Sequence, residues 1–187
     1  MTVDWAVPTP IAFDPAALLA SVTRLLEPTS AIRLSWYALD GSYGRGTRLP
    51  STPSAPSAPD EGGTIVLGDH EHECYLEITG SVGEFGPEYR VGPRRNQVSW
   101  IVALLTAACL AELTGAQLLD DAQILGRYLG DPADVLTPVR ALRRHEGEPA
   151  AATLVRLADA AGAPTLADPW RSAAGLPAGE QRAGPHP

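Results

Sequence analysis

A long apolar segment, residues 98–113, constrains the fold of this chain more than any other feature. It reads VSWIVALLTAACLAEL, and apolar residues occupy nearly every side of the helix that it predicts. A helix without a polar face must be surrounded by other protein. Because the segment is shorter than the roughly 20 apolar residues of a membrane span, we expect a buried helix at the centre of a folded domain.

The rest of the chain carries both strand and helix patterns around this central helix. Strand patterns occur at residues 31–39, 64–67, 74–79, 88–91 and 116–119, with the second and third joined as a hairpin and the fourth at a sheet edge. Helical patterns occur at residues 15–26, 123–129, 132–142 and 150–161. Asp14 and Pro15 begin the first of these helices, and Gly115 ends the central one. This order predicts an α+β fold, a two-layer sandwich of a mainly antiparallel sheet and a buried central helix.

The domain organisation follows from composition along the chain. We expect an extended N-terminal segment at 1–11, one α+β domain at 12–145, a C-terminal helix at 146–162 and a flexible tail at 163–187. Residues 49–63 are rich in proline, serine and alanine, and a segment with so little to bury is typical of a disordered surface loop.

The charge balance narrows the classes of partner. The 187 residues include 14 basic and 22 acidic ones, which gives a net charge of −8. This balance disfavours binding to nucleic acid, which needs a basic surface, and favours a basic protein partner. Every basic residue is arginine, as is typical of a GC-rich bacterial genome. Residues 1–10 carry no positive charge and two prolines, so we expect no signal peptide and a cytoplasmic, non-membrane protein.

A histidine-rich turn is the first candidate for chemistry. On a strand, His70, His72 and Cys74 would share one face, and their side chains are potential metal ligands. The pair of histidines falls where the hairpin should turn, however, and the sequence offers no second cluster to complete a site. A polar turn is therefore the favoured interpretation, and we expect no metal and no cofactor. Metal binding by this segment remains the alternative.

Paired acids at Asp120 and Asp121 form the second candidate. Two carboxylates after a short strand can hold a metal ion or act in acid–base chemistry, although such a pair more often caps a following helix. The chain contains no nucleophile or phosphate-binding motif. We therefore expect no enzymatic activity and no catalytic residues. An enzyme would need this pair to meet His70 and His72 in one cleft.

A third candidate lies at the start of the central helix. Arg94 and Arg95 precede Asn96, the expected helix cap, and together with free backbone amides they could bind an anion. The alternative is a solvated turn in which these arginines pair with Glu84 or Glu88.

Residues 97–121, QVSWIVALLTAACLAELTGAQLLDD, resemble a module of small bacterial α+β proteins in which a buried helix ends in LTG and leads to a short strand and acids. Many such proteins are cytoplasmic immunity proteins that neutralise polymorphic toxins. The resemblance covers 25 of the 187 residues and implies a non-enzymatic binding role.

The acids and the outward-facing aromatic residues of the chain predict a partner-binding surface. We expect acids to form its rim and two tyrosines, facing outward from the sheet, to anchor it; the residues are Asp120, Asp121, Asp131, Asp134, Tyr37 and Tyr75. In the hairpin, Cys74, Leu76 and Ile78 should face the core. The expected function is a cytoplasmic protein-binding protein, such as an immunity protein that sequesters a toxin domain. The alternative is an accessory subunit or small-ligand module that holds an anion with Arg94 and Arg95.

Overall fold

One layer of the protein is an antiparallel sheet, which has seven strands within the residues that the computed structural model describes, 4–37, 55–94, 97–126, 128–143, 145 and 148–173. The strands are β1 (Trp5–Pro8), β2 (Ser35–Tyr37), β3 (Thr64–Asp69), β4 (Cys74–Gly83), β5 (Gly86–Arg94), β6 (Leu118–Asp120) and β7 (Leu129–Gly130). Their order across the sheet is β2-β3-β4-β5-β1-β6-β7, and each neighbouring pair is antiparallel.

The second layer is helical and is built around the apolar segment. The helices are α1 (Pro15–Leu26), α2 (Gln97–Thr114), α3 (Pro132–Arg140), α4 (Ala150–Ala160) and α5 (Asp168–Ala173), with a 3-10 turn at Pro164–Ala167. Helix α2 packs against β4, β5 and β1, and α1, α3 and α4 pack against α2. The expected α+β two-layer arrangement is therefore confirmed. Among the described helices, none combines the length and the apolar character that crossing a membrane requires.

Helix α2 is the most buried element, as its composition predicts. Every side chain from Ile101 to Ala111 has 0% exposure. The helix ends at Gly115, whose φ of +65° favours glycine, and the Ala116 amide then donates to the Ala111 carbonyl at 2.8 Å. Helix α1 begins as expected, because the Asp14 side chain accepts a hydrogen bond from the Ala16 amide at 2.9 Å.

The N-terminal segment is part of the sheet. Strand β1 lies between β5 and β6, and Trp5, Ala6 and Val7 are buried. Residues 1–11 are predicted to lie ahead of the domain, but Trp5–Pro8 is inserted near the middle of the sheet. It follows that the predicted edge strand at 88–91 is wrong in position, because β5 is longer and has a neighbour on both sides.

The predicted helix at residues 123–129 is wrong, because this segment forms a turn. Gln123 and Gly126 have φ values of +53° and +73°, which no α-helix accommodates. The Asp120 carboxylate accepts a hydrogen bond from the Leu125 amide at 2.5 Å, so a side chain satisfies a backbone donor that a helix would otherwise use. The chain then returns along β6 as the short strand β7.

The predicted strand at 31–39 is shorter than expected. Only Ser35–Tyr37 pairs with β3 among its described residues, because the Arg33 amide donates instead to the Asp69 carboxylate at 2.6 Å. Residues 38–54, which include 49–54 of the Pro/Ser segment, lie outside the described residues. The described part of the Pro/Ser segment, residues 55–63, contacts β4, because Glu61 forms a β-bridge with Gly80.

The chain beyond α4 also packs on the core as far as it is described. Ala163, Leu166 and Ala167 are buried, so the 3-10 turn and α5 extend the helical layer over part of the region that the sequence analysis assigns to a flexible tail. Residues 174–187 lie outside the described residues.

Candidate functional site: the open face of the sheet

The two faces of the sheet differ in character. Helix α2 packs on the face that carries Trp5, Ile78 and Val91, which are directly opposite one another on neighbouring strands. Because side chains alternate along a strand, the other face carries the intervening residues. These are largely polar or charged and include Asp4, Glu77, Thr79, Glu88, Arg90 and Arg94. We call this surface the open face.

Two arginines organise the open face through ion pairs. The Arg90 Nε donates to Glu88 Oε1 at 2.7 Å, and its Nη1 donates to Asp121 Oδ2 at 3.3 Å. Arg94 forms an ion pair with Glu77 on the neighbouring strand. Glu88 is buried and also accepts a hydrogen bond from Ser81 at 3.2 Å. The charge-assisted pairs fix the positions of these side chains.

Asp4 adds a further carboxylate, which lies over Gly92. A Cβ atom at position 92 would lie 2.8 Å from Asp4 Oδ1, so the missing side chain of Gly92 makes room for the acid. Partial burial raises the pKa of Asp4, the Arg90 guanidinium opposes that rise, and the charge of Asp121 adds to it. Here the sheet forms a depression of about 320 Å³, lined by Asp4, Glu77, Thr79, Arg90, Gly92, Pro93 and Arg94.

The tip of the β4–β5 hairpin projects next to the open face and is apolar. Val82 and Phe85 are 61% and 56% exposed, and they flank Glu84 in the turn. The Tyr128 hydroxyl donates to Glu84 Oε2 at 3.2 Å, while 41% of Tyr128 is exposed. Reduced hydration, followed by the carboxylates of Glu84, Asp121 and Glu88, raises the pKa of Tyr128. The tyrosine therefore lies among acids.

The four predicted rim acids do not form one surface. Asp120 is 1% exposed, so its proposed place on a binding rim is wrong: its carboxylate holds the 121–126 turn instead. Asp121 is exposed and pairs with Arg90. Asp131 caps α3 by accepting from the Ala133 amide at 2.8 Å, and Asp134 lies exposed in the first turn of that helix. Since Leu118 pairs with Gly130, Asp121 and Asp131 lie beyond opposite ends of the β6–β7 pair.

The two predicted anchor tyrosines touch each other, but only one reaches the surface. Their rings lie 5.6 Å apart in an edge-to-face arrangement. Tyr75 is fully buried, hydrogen-bonds to His70 and lies against the backbone at Gly68, so the expectation that it is an outward anchor is wrong. Tyr37 is half-buried.

The predicted anion site is brought together only in part. Arg94 lines the depression, but its guanidinium is paired with Glu77 rather than with either of the acids that the sequence suggested. Arg95 and Asn96 lie outside the described residues.

The histidine-rich segment forms a hydrogen-bonded turn. His72 Nδ1 lies 2.7 Å from Asp69 Oδ2, His70 bonds to Tyr75, and burial raises the pKa of the Cys74 thiol to about 12. Across the described part of the chain, no three His, Cys, Asp or Glu side chains are grouped so as to hold a metal ion. Strands β5 and β1 separate this hairpin from Asp120 by about 14 Å of strand spacing, so His70 and His72 do not share a cleft with Asp120.

Sequence reasoning missed Asp4, Arg90 and the hairpin tip as site residues. Asp4 gives no signal because the apolar triplet that follows it, Trp5–Val7, is too short to indicate a central strand. Alternation from the core-facing Cys74, Leu76 and Ile78 places Glu77 and Thr79 outward, and the same alternation along β5 places Glu88 and Arg90 on the open face.

Comparison of the chain with protein-family models, with curated proteins and with solved structures found no match.

Proposed function

We propose that this protein is a non-enzymatic, cytoplasmic binding protein that sequesters a basic protein partner through the open face and its hairpin tip. The observation that carries the proposal is the charge of this surface. Four exposed or half-buried carboxylates surround two guanidinium groups there, and a fifth carboxylate, that of Glu88, is buried beneath Arg90; the residues are Asp4, Glu77, Glu84, Asp121, Arg90 and Arg94. A toxin domain is the class of partner suggested by the resemblance of residues 97–121 to immunity proteins.

The electrostatics of the open face suit capture of a cation-rich surface. The net charge of the chain is −8, and like charges concentrated on one face raise the rate at which an oppositely charged protein finds it. Arg90 and Arg94 are already engaged by carboxylates of this chain. Their charges offset those of Glu88 and Glu77, so the acids that remain to attract a positive partner are Asp4, Glu84 and Asp121.

The alternative, an anion-binding accessory module, has less support. It relies on Arg94, whose guanidinium is paired with Glu77, and on the depression, whose lining includes Asp4 and Glu77. An anion entering there would have to displace or face carboxylates. The carboxylates that line the depression therefore favour binding of a cationic protein over binding of a free anion.

The decisive experiment is affinity purification of the tagged full chain from its native cells, followed by mass spectrometry of bound proteins and of bound small molecules. We expect one stoichiometric protein of high isoelectric point, released by raised salt. A variant with Glu84→Gln and Asp121→Asn should retain less of it. Glu27→Gln, which removes a charge just after α1 on the helical side, should retain the same amount.

Two results would count against this function. Recovery of a bound anionic metabolite with no protein partner would favour the accessory module. Recovery of a partner whose retention depends on neither salt nor the two acids would place the interface elsewhere on the molecule.

A further inference from the structure

The hairpin tip exposes more apolar surface than its place in a charged region explains. Val82 and Phe85 flank Glu84 and are more than half exposed, and Tyr128 joins them through its bond to Glu84. Ile11, which is 55% exposed, follows β1 at the same end of the sheet, where the Thr9 amide donates to the Pro87 carbonyl at 2.9 Å. Single exposed apolar residues are ordinary, but several at one end of a sheet make that end a candidate interaction site.

The two strands at the base of the hairpin tip are held in a fixed conformation. The two strands stay in register to the turn, with Val82 opposite Pro87 and Gly83 opposite Gly86, and Gly86 has a φ of +99° that favours glycine. The Glu88 carboxylate occupies the space that a side chain at Gly83 would fill, and Arg90 and Ser81 hold it there. A pre-ordered element loses little conformational entropy when it binds.

The surround of the tip is acidic. Glu84 lies between Val82 and Phe85 in the chain, and Tyr128 lies close enough to Glu84, Asp121 and Glu88 for their charges to act on its hydroxyl. An apolar anchor with acids beside it matches one kind of surface, an apolar pocket with a basic rim.

We infer that the β4–β5 hairpin tip is the anchor of the interface in the proposed function: Phe85 enters an apolar pocket on the partner, and arginine or lysine side chains around that pocket contact Glu84 and Asp121. This inference rests on the proposed function. A second copy of this chain is a poor occupant, because it would bring the same acids against each other.

The test places a photo-crosslinking amino acid at position 85 of the full chain, expressed in its native cells. The control carries it at position 71, an exposed residue in the β3–β4 turn at the opposite end of β4. We expect position 85 to crosslink to one basic protein and position 71 to crosslink to none. With that protein purified, Phe85→Ala should weaken binding at least about ten-fold, whereas Glu71→Ala should change it less than about two-fold. Because Phe85 is exposed, its variant should unfold at the same temperature as the parent.

The outcomes separate this inference from the function on which it rests. Copurification of a basic protein that crosslinks at position 71, or that binds the Phe85→Ala variant at full strength, would overturn the anchor while leaving the function intact. A crosslink from position 85 to a second copy of the chain would assign the tip to self-association and overturn it as well. Absence of any protein partner in crosslinking and in affinity purification would overturn both.

Discussion

Trp5 and Asp120 lie directly opposite each other on neighbouring strands, and each contributes a buried polar atom that has no hydrogen-bond partner among the described residues. These atoms are the indole Nε1, a donor, and the carboxylate Oδ1, an acceptor. The other carboxylate oxygen binds the Leu125 amide at 2.5 Å. A buried carboxylate with one unpaired oxygen is costly to ionise. Burial is the largest cause of the raised pKa of Asp120, the charge of Asp121 adds to it, and the backbone amides of Leu125, Ile124 and Ala122 oppose it.

We predict that Asp120→Asn removes a pH-dependent loss of stability. Because the folded-state pKa of Asp120 lies above its ordinary value of 3.8, the folded state binds the proton more tightly than the unfolded state. The free energy of unfolding should therefore fall as pH rises from 3.8 through the raised pKa. Asparagine keeps an acceptor for the Leu125 amide without the charge. Urea unfolding of both proteins across this range should show the variant gaining relative stability as pH rises, and parallel curves would refute the role of this carboxylate.

Shortening a leucine side chain of α2 to alanine should greatly lower the free energy of unfolding at one position and hardly change it at another. Leu105 has 0% exposure, and Leu105→Ala should lower the free energy of unfolding by about 2–5 kcal/mol. Leu113, on the same helix, is 44% exposed, and Leu113→Ala should change it by less than about 0.5 kcal/mol. Denaturant unfolding of the two variants checks this contrast; equal losses would show that the buried face of α2 is assigned incorrectly.

Two glycines of the open face should differ in their tolerance of alanine. A Cβ at Gly68 would lie 2.5 Å from both the Cys74 carbonyl oxygen and the buried Tyr75 ring, neither of which can move, so Gly68→Ala should cost about 1–3 kcal/mol. At Gly92 the nearest atom is the end of the flexible Asp4 side chain, so Gly92→Ala should cost less than about 1 kcal/mol. Thermal unfolding ranks the pair, and the reverse ranking would contradict the packing described for Tyr75.

Both cysteines should be inert in the folded protein. Burial raises the pKa of Cys74 and of Cys109 from 9.0 to about 12, and the thiolate is the reactive form. A thiol-reactive dye near neutral pH should label neither residue until denaturant is added, when it should label both. Rapid labelling of the native protein would show that one thiol is accessible.

The apolar segment, the α1 cap and the first hairpin were predictable because each depends on local sequence. The long apolar run places α2, and Asp14 with Pro15 places the start of α1. The sequence could not place β1, because four residues carry too little pattern to reveal that β5 and β6 pair with them from distant parts of the chain.

The site was less predictable for the same reason. The open face joins Asp4, Glu77, Arg90 and Asp121, which only the sheet order brings together. Asp120 and Tyr75 illustrate the opposite failure. Both have the residue type of a surface group, yet tertiary contacts bury them, which neither alternation nor composition reveals.

The rate at which the protein captures its purified partner, measured by stopped flow at low and at raised salt, tests the central claim most directly. We predict a rate constant that falls steeply with salt and that drops about three- to ten-fold at low salt when Glu84→Gln and Asp121→Asn are combined, with Glu27→Gln unchanged. A rate constant that is insensitive to salt, or that all three neutralisations lower equally, would contradict binding through the acidic open face.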